Sequence, residues 1–449
     1  MKILIKGGSV HCLDADNTVH RPGYVLVDDG RIAAVGEGQP RGEVSTADEI
    51  IDAEGMAVFP GFINTHSHAV LTALRGRAED VDTITAVYGL MTPINEAMTP
   101  DESYALARGG FLEMLTTGIS TVVESSTNME AVAQAARDMG IRSYLVAGKI
   151  YDAVLSRVLD GEYHFDPSIG ERTLAEATEF VDRWEGTADD RLRCMLGPHA
   201  TDTCSRELWE KVAGLSRERD LAVTTHVLQN TQEKAQVERL HGVLPVELLR
   251  DVGVLNERLL AAHCVHITDR ETDMMAEGGA TLAHCPAILA RRGSTGPLVP
   301  MMQRGINVGL GTDNMSGDMV EAMRFALTAA RIREGSSDNP KPHHIMEMAA
   351  GGGARSIGRA DDLGSLEVGK IADITTVSYD VPHMTPIYPD TEISTLVHCG
   401  MGRDVSSVIV DGQILLRDGQ FQSGDAREIM RDAQEAATSV LGRIGVEVS

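Results

Sequence analysis

The chain has 449 residues, of which 43% are hydrophobic, 24% are charged and only 4% are aromatic, so a large folded core is expected and a stacking platform for single-stranded nucleic acid is not. Forty Lys and Arg against 66 Asp and Glu give a formal net charge of −26, a field that repels phosphate backbones and anionic lipid. We therefore predict no nucleic-acid and no membrane partner. The six Cys form no CxxC pair and no apolar run reaches the ~20 residues of a membrane span, which favours a cytoplasmic protein with reduced thiols.

Both ends of the chain carry the pattern of short strands and tight turns. Lys2–Lys6 (KILIK) alternates apolar and polar residues, as a half-buried strand does. Asp29-Gly30 and Asp411-Gly412 each stand between two strand-like runs, which is a strong hairpin signal. We predict a small β-sandwich domain built from both termini, residues 1–57 and 365–424, followed by a C-terminal helix at residues 425–449.

The middle of the chain alternates short apolar runs with helical stretches. The first strand candidate is Ala57–Ile63 and the last is Asn307–Thr312, with helical stretches such as Pro100–Thr117 and Arg206–Arg219 between them. About eight strand–helix units over residues 58–364 predict an α/β fold of the (β/α)₈ TIM-barrel type rather than an open doubly wound sheet. No GxGxxG or GxxxxGK[ST] motif is present, so neither of those nucleotide-phosphate sites is expected.

Imidazoles and a carboxylate fall at the ends of predicted strands. On a strand, His66 and His68 point to the same face, although this pair alone could equally be two ordinary polar residues. His226, His263 and Asp313 end or follow three later strands, and a barrel gathers the carboxyl ends of its strands at one face. Imidazole nitrogens with one carboxylate suit Zn²⁺, and also Fe²⁺, Mn²⁺ or Co²⁺, so a divalent metal site is predicted there.

The sequence resembles the amidohydrolase superfamily, in the branch of the cytosine, guanine and S-adenosylhomocysteine deaminases and the triazine hydrolases. The resemblance spans essentially the whole chain and is carried by these motifs: PGFINTHSH from Pro60, TTGIST from Thr116, GPHATDTCS from Gly197, TTH from Thr224, AAHCVH from Ala261, LGTD from Leu310 and GSLEVGKIADITTV from Gly364. It implies one divalent ion, with Zn²⁺ as the first choice, and it implies these ligands: His66, His68, His226 and Asp313. Binuclear relatives bridge two metals with a carbamylated Lys, and since Lys149 lies past its strand end, one ion is expected rather than two.

The chemistry implied by the resemblance is hydrolysis with a metal-activated water. A divalent ion lowers the pKa of its bound water from about 15.7 towards ~7. Asp313 would accept the proton of that water, and His263 would hydrogen-bond the hydroxide or the developing oxyanion. We predict cleavage of a C–N bond in a small heterocycle or a urea- or amide-like substrate. Two alternatives stay open: hydrolytic displacement of another leaving group from an azine ring, and a catalytically inactive barrel that binds a small molecule. The resemblance also implies a homo-oligomer.

The sequence departs from the deaminases beside the third His of the metal set. These relatives carry Glu three residues after it, whereas this chain has Gln229, whose amide can hold a substrate but cannot cycle a proton. A leaving group that needs less protonation, or proton delivery by Asp313 or His263, is therefore expected. Glu233 is interpreted as a solvated helix residue.

Substrate contacts are expected from His199, Gln229 and Ser316, although His199 could equally be a strand-capping residue. Relatives commonly show HNPxSN after the seventh strand, whereas this chain has apolar residues in its segment from His284 to Leu289. The residues after Asp313 differ as well. These departures favour a substrate other than the common nucleosides or guanine.

Overall fold

The computed structural model describes residues 1–42 and 46–446. Its strands, in chain order, are β1 Lys2–Lys6, β2 Ser9–His11, β3 Val19–His20, β4 Gly23–Asp28, β5 Arg31–Glu37, β6 Glu49–Asp52, β7 Met56–Pro60, β8 Phe62–Ser67, β9 Ile119–Glu124, β10 Arg142–Val146, β11 Leu192–Met195, β12 Val223–Val227, β13 Leu259–His263, β14 Thr281–His284, β15 Val308–Leu310, β16 Ile374–Ser378, β17 Val405–Val410, β18 Gln413–Arg417 and β19 Gln420–Phe421.

The helices are α1 Thr92–Ala97, α2 Pro100–Thr116, α3 Met129–Met139, α4 Leu155–Val158, α5 Pro167–Trp184, α6 Thr187–Asp190, α7 Arg206–Arg219, α8 Thr231–His241, α9 Pro245–Asp251, α10 Asp269–Gly278, α11 Pro286–Arg291, α12 Leu298–Gln303, α13 Met319–Glu334, α14 Pro342–Ala349, α15 Gly351–Ser356, α16 Glu392–Cys399 and α17 Ala426–Arg443. A π-helical segment, Thr85–Met91, follows β8. Within the described ranges, none of these helices has both the length and the apolar character that a membrane span requires.

The middle of the chain forms two four-stranded parallel sheets with helices between successive strands. One sheet has the order β11-β10-β9-β8 and the other β12-β13-β14-β15. Isolated parallel bridges join the two sheets at both outer edges, Leu196 with Val223 and Ser67 with Asp313. The predicted α/β fold is confirmed. The carboxyl ends of all eight strands consequently lie on one side.

The two chain ends also meet in a sheet. β16 to β19 pair with β7, β2 and β3 in a seven-stranded sheet of order β19-β18-β17-β16-β7-β2-β3, while β5-β4-β1-β6 forms a separate four-stranded sheet. Side chains from both sheets share one apolar cluster, which includes Ile5, Val27, Ile374 and Ile409. The two Asp-Gly hairpins lie between β4 and β5 and between β17 and β18, as predicted.

One predicted strand is two strands in the structure. Ala57–Ile63 was expected to be a single barrel strand, but Met56–Pro60 pairs with β16 and Phe62–Ser67 pairs with β9. The break falls at Gly61, where a Cβ would lie 2.3 Å from Ser120 Oγ, so the backbone approaches its neighbour too closely for any other residue. The prediction was wrong because the apolar run continues through this point.

The terminal sheet is attached to the parallel sheet by a buried ion pair. Arg142 on β10 is 1% exposed, and its Nε and Nη2 donate to Asp373 at 3.0 and 3.2 Å. Asp373 also accepts the backbone N–H of Asp411 at 2.8 Å. The C-terminal helix α17 packs on α2, and residues 447–449 of the predicted 425–449 segment lie outside the described residues.

Candidate metal centre

The predicted donors come together at the carboxyl ends of four strands. His66 lies within β8 and His68 directly follows it, while His226 lies on β12 and His263 is the last residue of β13. Asp313 lies three residues beyond β15. Backbone hydrogen bonds place it against β8, because its N–H donates to His66 O at 2.9 Å and its carbonyl accepts from His68 N at 3.2 Å.

The donor atoms are close enough to surround one ion. His66, His68 and Asp313 each offer a ligand atom within 4.8 Å of the others, and so do His66, His226 and His263. From Asp313, Oδ1 lies 3.6 Å from His68 Nε2 and 4.0 Å from His66 Nε2, and Oδ2 lies 3.8 Å from His263 Nε2. The five residues predicted from the sequence therefore form one cluster.

Hydrogen bonds orient the rings and leave donor atoms free for a cation. The Nδ1 atoms of His68 and His226 bond the carbonyl oxygens of Ser125 and His199, the second at 2.6 Å, so the Nε2 atoms are left for a ligand. Within the described part of the chain, four buried atoms of this cluster have no hydrogen-bond partner: His66 Nε2, both ring nitrogens of His263 and Asp313 Oδ2. Buried polar atoms rarely stay unpaired, so this donor set fits a divalent ion.

The backbone is strained at two of these residues. His263 has φ +76° and Asp313 has φ +64°, a left-handed conformation that costs free energy for a residue with a Cβ. Such strain persists only where surrounding contacts impose it. The neighbouring Gly311 shows the crowding, because a Cβ there would lie 2.9 Å from both His66 Cβ and Cys285 Sγ. The LGTD motif thus places the Asp313 carboxylate in a tightly packed part of the structure.

Burial sets the protonation of the metal-free cluster. It lowers the pKa of His68 to about 3 and that of His226 to about 4, so both imidazoles are neutral at pH 7 and can bind a cation. Burial raises the pKa of Asp313 to about 6. Asn314 Nδ2 donates to Asp313 Oδ1 at 2.8 Å, whereas Oδ2, 3.8 Å from His263 Nε2, has no hydrogen-bond partner among the described residues.

A cavity opens beside the cluster and contains most of the predicted substrate contacts. It is lined by His68, His226 and Asp313, and by the predicted contacts His199 and Gln229. Other lining residues include Tyr88 and Met91 of the segment after β8, together with Lys149, Asp202, Glu233 and Asn314.

The structure does not bring Ser316 to this cavity. It lines a separate depression, and its hydroxyl donates to Glu321 at 3.0 Å. The reason is the turn after Asp313, where Met315 also has a positive φ and the chain bends away from the metal cluster.

Two residues that the sequence interpretation set aside lie at the cavity. Glu233 is 2% exposed rather than solvated. Its carboxylate accepts from Thr201 Oγ1 at 2.6 Å and from the backbone N–H groups of Leu228 and Gln229 at 2.8 and 2.9 Å. The Asn230-x-x-Glu233 spacing is typical of a helix N-terminus, and it was the one sequence feature that pointed to a structural role for Glu233. Lys149 does lie beyond its strand, β10, yet it lines the cavity.

The chain matches known proteins along most of its length. The match to the amidohydrolase family covers residues 57–415. A 5-methylthioadenosine/S-adenosylhomocysteine deaminase of Desulforudis audaxviator (strain MP104C) is 34% identical over 427 residues, which cover 93% of this chain and 95% of the relative. A 5′-deoxyadenosine deaminase of Methanothermobacter thermautotrophicus is 35% identical over 445 residues, with 98% and 99% covered.

Solved structures agree with these relatives. An adenosine deaminase from Xanthomonas campestris with bound zinc superposes with a TM-score of 0.89 at 25% identity, and the match covers 98% of each chain. Atrazine chlorohydrolase from Arthrobacter aurescens TC1, complexed with zinc, gives a TM-score of 0.86 at 25% identity over 97% of this chain and 100% of that one.

Fold and donor set together define a metal-dependent hydrolase. The chain belongs to the amidohydrolase family, and it acts on carbon–nitrogen bonds other than peptide bonds in small heterocyclic substrates. The family and the reaction class predicted from the sequence are confirmed.

Proposed function

We propose that the protein removes the exocyclic amine of a 5′-modified adenine nucleoside by hydrolysis. The observation that carries this proposal is the complete imidazole and carboxylate cluster, in a chain that matches two kinds of 5′-modified adenosine deaminase over more than nine-tenths of its length. Such substrates differ from the common nucleosides, in keeping with the departures seen in the sequence.

One divalent ion, Zn²⁺ as the first choice, would be held by His66, His68, His226 and Asp313. When bound, the ion makes hydroxide available near neutral pH. Asp313 Oδ2, buried and without a partner in the described chain, accepts the proton of the attacking water. His263, whose two ring nitrogens are likewise unpaired there, hydrogen-bonds the same water or the developing oxyanion. Asp313 and His263 then share the return of protons to the leaving amine.

Gln229 holds the substrate in this scheme and takes no part in proton transfer. Its side chain borders the cavity, while its backbone N–H is fixed by Glu233. Both oxygens of Glu233 already accept hydrogen bonds, so this carboxylate anchors the turn that carries Gln229. A neutral amide in that position can donate to a ring nitrogen and accept from an amine.

The same proposal includes the architecture and the setting of the enzyme. The two parallel sheets would act as one (β/α)₈ barrel spanning residues 58–364, and residues 1–57 and 365–424 as a β-sandwich domain. The edge bridges and the shared apolar cluster support these assignments. A cytoplasmic location is supported by free cysteines, five of them buried. A homo-oligomer is proposed from the family resemblance, and light scattering tests it.

A second candidate reaction is hydrolytic displacement of another leaving group, such as chloride, from an azine ring. The observation that favours it is Gln229, because a leaving group such as chloride does not need the proton that an amine does. The fold similarity to a zinc-bound atrazine chlorohydrolase supports the same reading.

The test is a product assay with purified protein of known metal content. Adenosine, 5′-deoxyadenosine, 5′-methylthioadenosine, S-adenosylhomocysteine, guanine and a chlorotriazine would be compared for release of ammonia and of chloride. We expect ammonia from at least one 5′-modified adenosine and none with Asp313→Asn. Chloride without ammonia would favour the second reaction. Neither product from a fully metal-loaded protein would contradict both.

A further inference from the structure

One buried carboxylate near the metal centre takes no part in the proposed proton transfers. Glu124 is the last residue of β9, and its side chain is fully buried. A carboxylate that is removed from water is costly unless hydrogen bonds compensate it, so its partners indicate its role. The next residue, Ser125, carries the carbonyl that accepts from His68 Nδ1. Glu124 is therefore one residue away from the group that orients a predicted metal ligand.

One oxygen of Glu124 holds the segment that follows His68. Its Oε1 accepts the backbone N–H of Ala69 at 2.9 Å. Ala69 begins a short 3₁₀ helix, Ala69–Leu74, and His68 at its N-cap position makes no capping hydrogen bond with its own side chain. The first N–H groups of a helix have no partner within the helix. Glu124 supplies such a partner from a different strand, and it thereby fixes the backbone directly after His68.

The same oxygen holds the segment that follows Ser125. Glu124 Oε1 also accepts the hydroxyl of Ser126, and Ser125 N donates to Ser67 O at 2.9 Å. The hydrogen bond between His68 Nδ1 and Ser125 O therefore lies between two contacts of one carboxylate oxygen. Without that oxygen the two segments would be free to separate, and the His68 ring would lose its fixed orientation.

We propose that Glu124 is a positioning residue for the metal centre, which fixes the Ser125 carbonyl against His68 and so leaves His68 Nε2 directed towards the other donors. The inference rests on the proposed ligand set. A ligand that is already oriented loses less conformational freedom when it binds an ion, so binding is tighter. Glu124 acts through its neighbours and contacts neither the ion nor the substrate in this scheme.

The test compares the Zn²⁺ affinity of variants of the full chain, measured by competition with a chromogenic chelator. Glu124→Leu removes both hydrogen bonds at similar volume. Outer partners of metal ligands typically contribute about 10- to 100-fold in affinity, so we expect Zn²⁺ binding to weaken by about that factor. Glu124→Gln keeps an acceptor oxygen and should restore most of the affinity. Ser126→Ala removes one of the two bonds and should give a smaller loss.

A second buried carboxylate provides the matched control. Glu271 on α10 is also fully buried, and it accepts from Thr268 and from the backbone N–H of Val246, neither of which is a metal donor. Glu271→Leu should lower the Tm of the metal-free protein, as Glu124→Leu should, but leave the Zn²⁺ affinity unchanged. The comparison separates a positioning role from a general loss of stability. Ser126→Ala carries the test if Glu124→Leu does not fold.

The outcomes distinguish this inference from the proposed function. Unchanged Zn²⁺ affinity in Glu124→Leu and Ser126→Ala would overturn the role of Glu124, and so would an equal loss in Glu271→Leu. If the wild type binds an ion but deaminates no nucleoside, a selective loss of affinity in Glu124→Leu leaves the role of Glu124 standing while the proposed reaction fails. A wild type that binds no divalent ion overturns both.

Discussion

Substitution of Gln229 tests whether this residue positions the substrate or stands where an acid is required. Gln229 is half-buried at the cavity, three residues after His226, and its backbone is held by Glu233. Gln229→Ala removes one or two neutral hydrogen bonds to the substrate, each worth about 0.5–1.5 kcal/mol, so kcat/KM should fall about 2- to 150-fold, mainly through KM. Asp313→Asn should abolish turnover, because it removes a proton acceptor that contributes ~10²–10⁴-fold and also a metal donor.

The informative variant is Gln229→Glu, which supplies the acid found in the deaminases at this position. If Asp313 and His263 already move the protons, kcat on the true substrate should change by less than about tenfold, well below the ~10²–10⁴-fold of a general acid. The assay is steady-state ammonia release for the three variants, with the exposed Gln434→Ala on α17 as a control. An increase of kcat by orders of magnitude would refute the reasoning, since proton delivery would then limit the wild-type enzyme.

Three further outcomes are expected. Removal of divalent metal by a chelator should abolish turnover and lower Tm, and Zn²⁺ should restore both, as followed by elemental analysis and thermal denaturation; full activity in demonstrably metal-free protein would contradict the assignment. Asp373→Asn should lower the free energy of unfolding by about 3 kcal/mol, because the buried Arg142 would lose its principal counter-ion and keep only Asp411, at 3.4 Å, whereas the exposed Arg431→Ala should cost under about 0.5 kcal/mol in the same urea titration. Metal-free protein should lose stability between pH 7 and pH 5. Unfolded imidazoles protonate near 6.5, whereas burial lowers the pKa of folded His68 to about 3 and that of His226 to about 4; Asp313, raised to about 6, opposes this with a smaller shift. A stability that rises towards pH 5 would contradict the last of these.

Features that depend on local sequence could be predicted well. Arg206–Arg219 is helical over the predicted range, with Ser205 as its N-cap. The Asp-Gly turns join the strands that were expected to flank them, because a two-residue turn and its neighbours define a hairpin without help from the rest of the chain. The clustering of the proposed metal donors could also be predicted, since each falls at or just after a strand end and a parallel sheet gathers those ends on one side.

Features that depend on distant contacts could not be predicted. Glu233 has the spacing of an ordinary helix N-terminus, and its burial comes from Thr201 on another segment. The split of the first predicted strand depends on Ser120, which blocks a side chain at Gly61. Ser316 was expected at the substrate because it follows Asp313 closely, yet the turn directs it elsewhere. For Glu233 and Gly61 the deciding neighbour is far away in the sequence, whereas for Ser316 it is the backbone conformation of the adjacent turn at Met315.

The distribution of unusual residues around the metal centre argues for a working enzyme with an altered substrate pocket. The proposed donors come from four different strand ends, and a chain that had ceased to function would be expected to lose some of them. All five nevertheless converge here, and three of them, His66, His263 and Asp313, keep buried atoms without a partner among the described residues. The position that departs from the relatives is instead Gln229, which borders the cavity where a substrate would lie. Strained backbone at His263 and Asp313 points the same way, because stored strain is retained where the position of a side chain matters more than stability. We therefore expect the hydrolytic chemistry of the family to be intact. The differences from the relatives should concern which substrate the cavity binds and how the leaving group receives its proton.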